Sequence, residues 1–384
     1  MQNLTYLNLS NNLLISLHFD TFFNLSKLND LNLEWNKISY IENNVFRYLS
    51  SLQNLYLKNN QLRAIGPKLL NGLTNILKLD LQYNNIEIID DYAFNSTNKL
   101  TELNLSNNNL TKLTKGFNRL SALINLFLDN NKIELIEQGS LSNLSRLKQI
   151  YISKNALTKL SQNDFQGLKS LEYLNFDTNK INFIDENVFK DLIQLKNLLL
   201  NFNQMANLKI DVFEGLANLE SLRLPLNKFE FIHPNTFKNM TKLIFLDLSS
   251  NSLKTINVEF LVRLETLIVS FNKLESFKTN LTSLKTLNLQ NNNFKILNYS
   301  IFESNPSSSN LSIINLYNCQ ISFIGDDVFQ NLANLNELNL NNNLFTNLSE
   351  NVLMGLAKLK TVKLDSKVLN LVNLKLAYLN ISFV

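Results

Sequence analysis

A single phrase recurs along this chain at a nearly fixed interval, and that period constrains the fold more than any other feature. The phrase is L-x-x-L-x-L-x-x-N-x-L, first met as Leu4, Leu7, Leu9, Asn12 and Leu14. Copies start at Leu28, Leu52, Ile76, Leu100, Leu123, Leu147, Leu171, Leu195, Leu219, Leu243, Leu264, Leu284, Leu311, Leu335 and Leu359, mostly 24 residues apart, which makes sixteen repeats. A period of this size marks a solenoid, in which each repeat buries its apolar side only against its neighbours. The L-x-x-L-x-L segment holds a few residues of strand with its leucines on one side. Identical repeats stacked in one direction make those strands parallel.

The asparagine at position nine of the repeat answers a backbone problem. After each strand the chain turns inside a buried stack, where peptide donors and acceptors have no water. An Asn side chain carries both a carbonyl and an amide, so a column of them can satisfy such groups in its own turn and the next. The slot holds Asn in fourteen repeats, from Asn12 to Asn343; Cys319 and Lys367 are the departures. Cysteine fits there as a small, weakly polar residue, whereas lysine accepts no hydrogen bond and marks a degenerate last repeat. Asn11, one place off the column, is expected to matter little.

A second column, near position nineteen, holds Phe22, Phe46, Phe94, Phe165, Phe189, Phe213, Phe237 and Phe329, with Leu70, Leu141 and Leu353 substituting. Stacked aromatics fill a wider back than the narrow strand side does, which predicts an arc with strands on its inside. The expected fold is therefore an α/β-type solenoid. It is a curved horseshoe with a concave parallel β-sheet and a convex side of short helical turns and loops.

These residues resemble the leucine-rich repeat superfamily in its typical 24-residue subclass, similar to the animal ectodomains of Toll-like receptors, Slit, chaoptin and the acid-labile subunit. The resemblance runs from residue 4 to about 369 and implies a single solenoid over 1–384. Its repeats are regular over 4–242, irregular over 243–310, regular over 311–358 and degenerate over 359–384. Such families usually carry cysteine-rich caps at both ends. Neither is present, so the chain reads as a fragment or an uncapped member, with ends expected to fray or self-associate. In receptors of this kind irregular repeats often mark ligand sites or bends. The repeats from Leu243 and Leu264 are 21 and 20 residues, and the next stretches to 27 through residues 303–310, "ESNPSSSN", which read as an exposed loop. From Leu371 the strand pattern restarts early, as a crude cap or a broken repeat.

Composition sets further bounds. Asn supplies 67 of 384 residues and Lys outnumbers Arg 30 to 6, a bias that an AT-rich genome produces but that cannot explain fixed spacing. A net charge of +4 names no partner class. One cysteine, Cys319, allows no internal disulfide. No run of 18 apolar residues is present, and the repeat begins by Leu4, so neither a transmembrane helix nor a signal peptide is expected within the chain. The localisation expected from the resemblance is extracellular or cell-surface, with a cytoplasmic one left open. Thirteen N-x-S/T sequons occur, against about nine from chance, which adds weak support for secretion.

Catalytic chemistry is not expected. His18 and His233 stand nine repeats apart on the back, too far for one metal, and no nucleotide or nucleophile motif occurs. No cofactor, no metal and no small-molecule substrate are expected. Over positions two, three, five, seven and eight, which face inward, 9 Lys/Arg meet 12 Asp/Glu, a balance that opposes nucleic acid.

What remains is binding. Exposed aromatics on a rigid sheet are what hot spots use. The leading candidate surface is Phe127, Tyr151, Tyr173, Leu199, Phe202 and Arg223, with charge from Asp129 and Asp177 at its margin. A secondary patch is Trp35, Tyr56 and Tyr83. Tyr151 is expected to lie outside the core, so that its truncation leaves the melting temperature unchanged. The function expected is a non-enzymatic scaffold, a receptor or adhesion ectodomain holding a protein ligand on its concave face. The alternatives are an extracellular-matrix structural protein and an intracellular leucine-rich-repeat scaffold.

Overall fold

Each repeat forms one turn, and the turns stack through strands of three residues. The computed structural model describes residues 2–278, 281–298, 310–326, 328–366, 368 and 382–383. Two compact units divide the chain: Met1–Leu199 with Glu214–Leu216, and Leu200–Phe213 with Ala217–Val384. Residues 303–309, Lys367, the stretch from Leu371 to residue 381, and the sequons at Asn280 and Asn380 lie outside the described residues.

In the first unit the strands run from Tyr6–Asn8 through Asp30–Asn32 and onward to Asn197–Leu199. They pair in parallel with like positions opposed, as in Asn125↔Gln149 and Leu126↔Ile150. The middle residue of each strand points inward, and Leu31, Leu55, Leu79, Leu103 and Leu126 are fully buried. Alternation leaves the flanking residues, at positions three and five, on the outer face of the sheet. The second unit repeats this with strands from Ser221–Arg223 to Thr361–Lys363, the last of which pairs with Ser382–Phe383.

The back carries the short helical turns and loops expected, and adds short paired strands to them. Two-residue strands such as Lys112–Leu113 and Leu135–Ile136 pair there, followed by turns. Among the described residues, helical backbone is confined mainly to 3₁₀ segments such as Lys115–Arg119, Pro234–Phe237 and Glu350–Leu353. A 24-residue turn that has spent its residues on strand, loop and back strand has too few left for an α-helix. The phenylalanines fill this side as expected. Phe22 lies 5.9 Å from Phe46 and Phe165 lies 6.1 Å from Phe189, ring centroid to centroid, in stacked pairs. Turns approach one another closely here: a Cβ on Gly72 would sit 2.5 Å from the Cα of Arg47, and its φ of +94° is one that glycine alone adopts cheaply.

The asparagine column is a ladder, with one correction of direction. Asn155 accepts from the Ile133 amide at 2.9 Å and donates to the carbonyls of Leu128, Ile152 and Ser153 at 3.0–3.1 Å. Asn60, Asn84, Asn108 and Asn131 repeat the pattern. Each side chain therefore ties its own turn to the preceding one, not to the next. Cys319 keeps half of the role. Its thiol donates to the Leu289 carbonyl at 3.1 Å, while its own backbone carbonyl accepts from the Phe294 amide at 3.0 Å in place of the missing side-chain oxygen. Burial pushes that thiol up to about 11.

Candidate functional site

The outer face of the strands is not a free display of side chains, because position five has a structural default. Where it holds Asn or Asp, the side-chain oxygen accepts from the backbone amide two residues on: Asn8 from Ser10, Asn32 from Glu34, Asp80 from Gln82, Asn104 from Ser106, Asn175 from Asp177. This Asx turn closes the strand. The signal was in the sequence as an Asn/Asp column, although on sequence alone it reads as a binding column.

Phe127 and Tyr151 break that column on adjacent strands, and the chain compensates. Asp129, from the preceding turn, accepts from both the Ser153 amide at 2.8 Å and the Ser153 hydroxyl at 2.6 Å. Asp129 is therefore a brace for the Tyr151 strand rather than only a charged margin. The rings themselves form a continuous stack. Phe127 and Tyr151 are 5.0 Å apart at 19°, and Tyr151 and Tyr173 are 4.8 Å apart at 33°. Tyr173 reaches this position from the diagonal, being opposite Gln149 in register. With their faces turned to one another, the rings offer edges and hydroxyls to a partner. The Tyr151 hydroxyl donates to Gln149 at 3.2 Å, and burial followed by the Asp129 charge raises its pKa. All three rings are half-buried. Tyr151 is held on both sides, contrary to the expectation that its removal would not touch stability.

Leu199 completes the part of the candidate surface that lies in the first unit, half-buried and opposite Asn175 in register. Phe202 and Arg223 belong to the second unit. Phe202 is 56% exposed, and the Arg223 guanidinium lies 4.8 Å from the centroid of Phe245.

The secondary patch divides by position. Tyr56 is a half-buried strand residue, with the Lys78 ammonium 5.9 Å from its ring and burial raising its pKa. Trp35 and Tyr83 instead sit at position eight with φ of 54° and 55°, exposed at the edge of the turn. Position eight is left-handed in turn after turn, and asparagine commonly occupies it.

Several charges on this face are paired internally. Glu172 joins Lys148 at 3.1 Å and Lys196 at 2.9 Å, and both lysines lower its pKa. Lys78 pairs with Glu102 at 2.8 Å. Burial raises Asp80 and Glu34. His18 bonds Ser16 and lies 3.8 Å from Glu42, while His233 caps a 3₁₀ turn by accepting from the Asn235 amide. Among the described residues no group of three His, Cys, Asp or Glu side chains is placed to hold a metal, and no helix is long and apolar enough to cross a membrane.

The leucine rich repeat family model matches residues 2–62, 50–110, 98–157, 121–181, 145–205, 193–253, 217–274 and 309–369. No curated protein matches the sequence. Among solved structures, a leucine-rich-repeat protein of Leptospira interrogans is similar at 23% identity and a TM-score of 0.68, over 98% of this chain and 83% of that one. Toll in the Drosophila Toll–Spätzle complex is similar at 21% identity and a TM-score of 0.79, over 90% of this chain but only 48% of that one. The functional domain of InlJ from Listeria monocytogenes, described as including a cysteine ladder, is similar at 20% and 0.64, over 94% of this chain and 72% of that one. At these identities the likeness is one of fold, and the chain spans about half the length of Toll.

Proposed function

We propose that this chain, which belongs to the leucine-rich repeat family, is a non-enzymatic scaffold that binds a protein partner on the strand face of its first unit. The observation that carries the reading is the ring stack Phe127–Tyr151–Tyr173. Two of its members occupy a position where Asn or Asp would close the turn, so the fold alone does not call for them. Tyr151 has both faces covered by its neighbours and Phe127 and Tyr173 have one face each covered, so ring edges around an apolar ridge dominate, a form that suits a protein surface. The rings lie on the open face of the sheet, whereas a small metabolite would need an enclosed pocket. The resemblance in fold to Toll, solved with Spätzle, supports an extracellular, receptor-like or adhesive role. The slight acidic excess at positions two, three, five, seven and eight, on the exposed strand face, favours protein over nucleic acid.

The test is capture of a partner from extracellular fluid or cell surface, followed by titration with variants. Tyr151→Ala is expected to weaken the captured protein by about 1–3 kcal/mol. Lys169→Ala, exposed on the back, leaves it unchanged. Loss with Tyr56→Ala but not Tyr151→Ala moves the site to the secondary patch. Single-stranded RNA that binds more tightly than any protein, in a salt-dependent manner, overturns the partner class.

A further inference from the structure

The back of the first unit has a regularity of two turns rather than one. Position eleven alternates without exception: Leu14, Ile38, Leu62, Ile86, Leu110, Ile133, Leu157, Ile181. Position thirteen alternates with it. Odd turns hold Ser16, Ala64, Lys112 and Lys159, and even turns hold Tyr40, Ile88, Leu135 and Phe183. The short back strands follow the same couples, Ser16↔Tyr40, Ala64↔Ile88, Lys112↔Leu135 and Lys159↔Phe183. Ion pairs close two of them, Lys112–Glu137 at 2.6 Å and Lys159–Asp185 at 3.1 Å.

Position thirteen points outward, while its neighbour at fourteen fills the core. Tyr40, Ile88, Leu135 and Phe183 are 56%, 65%, 54% and 41% exposed. Packing does not require them there, since the odd turns carry serine, alanine or lysine at the same place. Scattered apolar residues on a surface need no explanation. Four large ones at one position, in every second turn, form a row.

We propose that this row is the contact face of a homodimer, on which a second copy of the chain seats its own row. Spacing selects the occupant. Two turns set the row's interval at about 10–12 Å, from the strand spacing and from the 5.9 Å and 6.1 Å between stacked phenylalanines of adjacent turns. A partner that engages all four side chains must offer apolar groups at that interval, and a second copy does. Area agrees. The exposed fractions amount to roughly 400 Å² of apolar side chain per copy, which at the apolar share of ordinary interfaces corresponds to about 1,300 Å² over both copies, within the range of stable dimers. The same patch on both sides makes the contact isologous and closed. Like charge does not oppose it, because both lysines of the row are neutralised by acids of the next turn. At one end the Lys159 ammonium, 5.3 Å from the Phe183 ring, leaves Ile88 and Leu135 as the anchors.

Sedimentation velocity tests this with the whole chain. The native protein is expected to be a dimer at micromolar concentration. Ile88→Lys with Leu135→Lys is expected to raise the dissociation constant at least about a hundredfold. Their exposure leaves the circular dichroism spectrum in place, the melting point falls only to that of the native chain diluted to monomer, and Gln53→Lys on the strand side leaves the dimer intact. Single-cysteine variants at Ile88 and Leu135, alone or mixed, become joined across copies by a short bis-maleimide, with Cys319 buried and out of reach. A monomeric native chain, an association that survives the double substitution, or cysteines that never crosslink would each overturn the proposal.

Discussion

Asn155→Ala removes one rung from the ladder, and the structure allows its cost to be worked out. The buried Ile133 amide loses its acceptor at 2.9 Å. Three carbonyls, those of Leu128, Ile152 and Ser153, lose a donor at 3.0–3.1 Å. An unsatisfied buried N–H costs about 1–3 kcal/mol, and under-satisfied carbonyls cost less because each has two lone pairs. The expected loss is about 2–4 kcal/mol. Asn155→Asp separates the two halves of the rung: a carboxylate still accepts from Ile133 but faces three carbonyls without a proton to give, so it costs more than alanine at neutral pH. Asn155→Cys costs less than alanine, since Cys319 shows how a thiol and a carbonyl share the duty.

The control matters. Asn11 was expected to be indifferent, but its φ of 58° places it in left-handed backbone, where alanine costs about 1 kcal/mol on its own. Asn85, exposed and outside the left-handed set, is the better choice. Because repeat arrays lose strict two-state behaviour, the assay is native-state hydrogen exchange together with chemical denaturation. The Ile133 amide should lose protection in Asn155→Ala and keep it in Asn85→Ala. Equal midpoints for the two variants, or an Ile133 amide that stays protected, would refute the ladder's energetic role.

Two further outcomes follow. Tyr151→Ala breaks two ring contacts and is expected to cost about 1–2 kcal/mol of stability, seen as a melting point a few degrees lower, with Tyr151→Phe restoring most of it; an unchanged melting point would mean the stack is not formed in solution. Thr178→Asn replaces a β-branched residue at φ of 57° and is expected to stabilise by about 0.5–1 kcal/mol, so a lowered melting point would contradict the left-handed assignment.

The legible parts of this fold are those where one residue meets one backbone need in every turn. Leucine fills a narrow strand side, phenylalanine a wider back, and Asn155 or Asn84 supplies both a donor and an acceptor, so period and residue type together gave sheet direction, core and ladder. Two columns misled because their residues serve the backbone and the surface alternately. At position five, Asn8 and Asn104 close turns while Phe127 and Tyr151 do not; only the hydrogen bond to the residue two places on separates these roles. At position eight, the asparagines Asn59, Asn107 and Asn130 hinted at left-handed backbone, but Trp35, Tyr83 and Phe202 obscured it by suggesting a strand face. The two-turn alternation at position eleven was present in the letters yet hidden, since leucine and isoleucine read alike in a search for apolar residues.

A buried carboxylate on the back of the seventh turn gives the stability of the first unit an unusual pH dependence. Asp164 is 9% exposed and accepts from the Ser161 amide at 2.6 Å. Burial is the main cause that pushes it from 3.8 to about 6, with the Asp185 charge adding to it and the Ser161 hydrogen bond opposing. For an acid raised in the folded state, the folded chain binds the proton more tightly than the unfolded one. The contribution to stability therefore grows as pH falls through about 6 and is complete below 3.8; at pH 7 the charged form is a burden of about 2–3 kcal/mol. Glu172 has the opposite sign, its pKa being lowered, so its contribution is lost as pH falls below its usual range; exposure to solvent makes that contribution small. Asp164→Asn keeps an oxygen for the Ser161 amide and removes the charge. It is expected to stabilise by about 1–3 kcal/mol at pH 7, and the gain should shrink as denaturation is repeated at pH 6, 5 and 4.5. A gain that is the same at every pH, or a loss at pH 7, would show that the carboxylate is solvated or compensated in the folded chain.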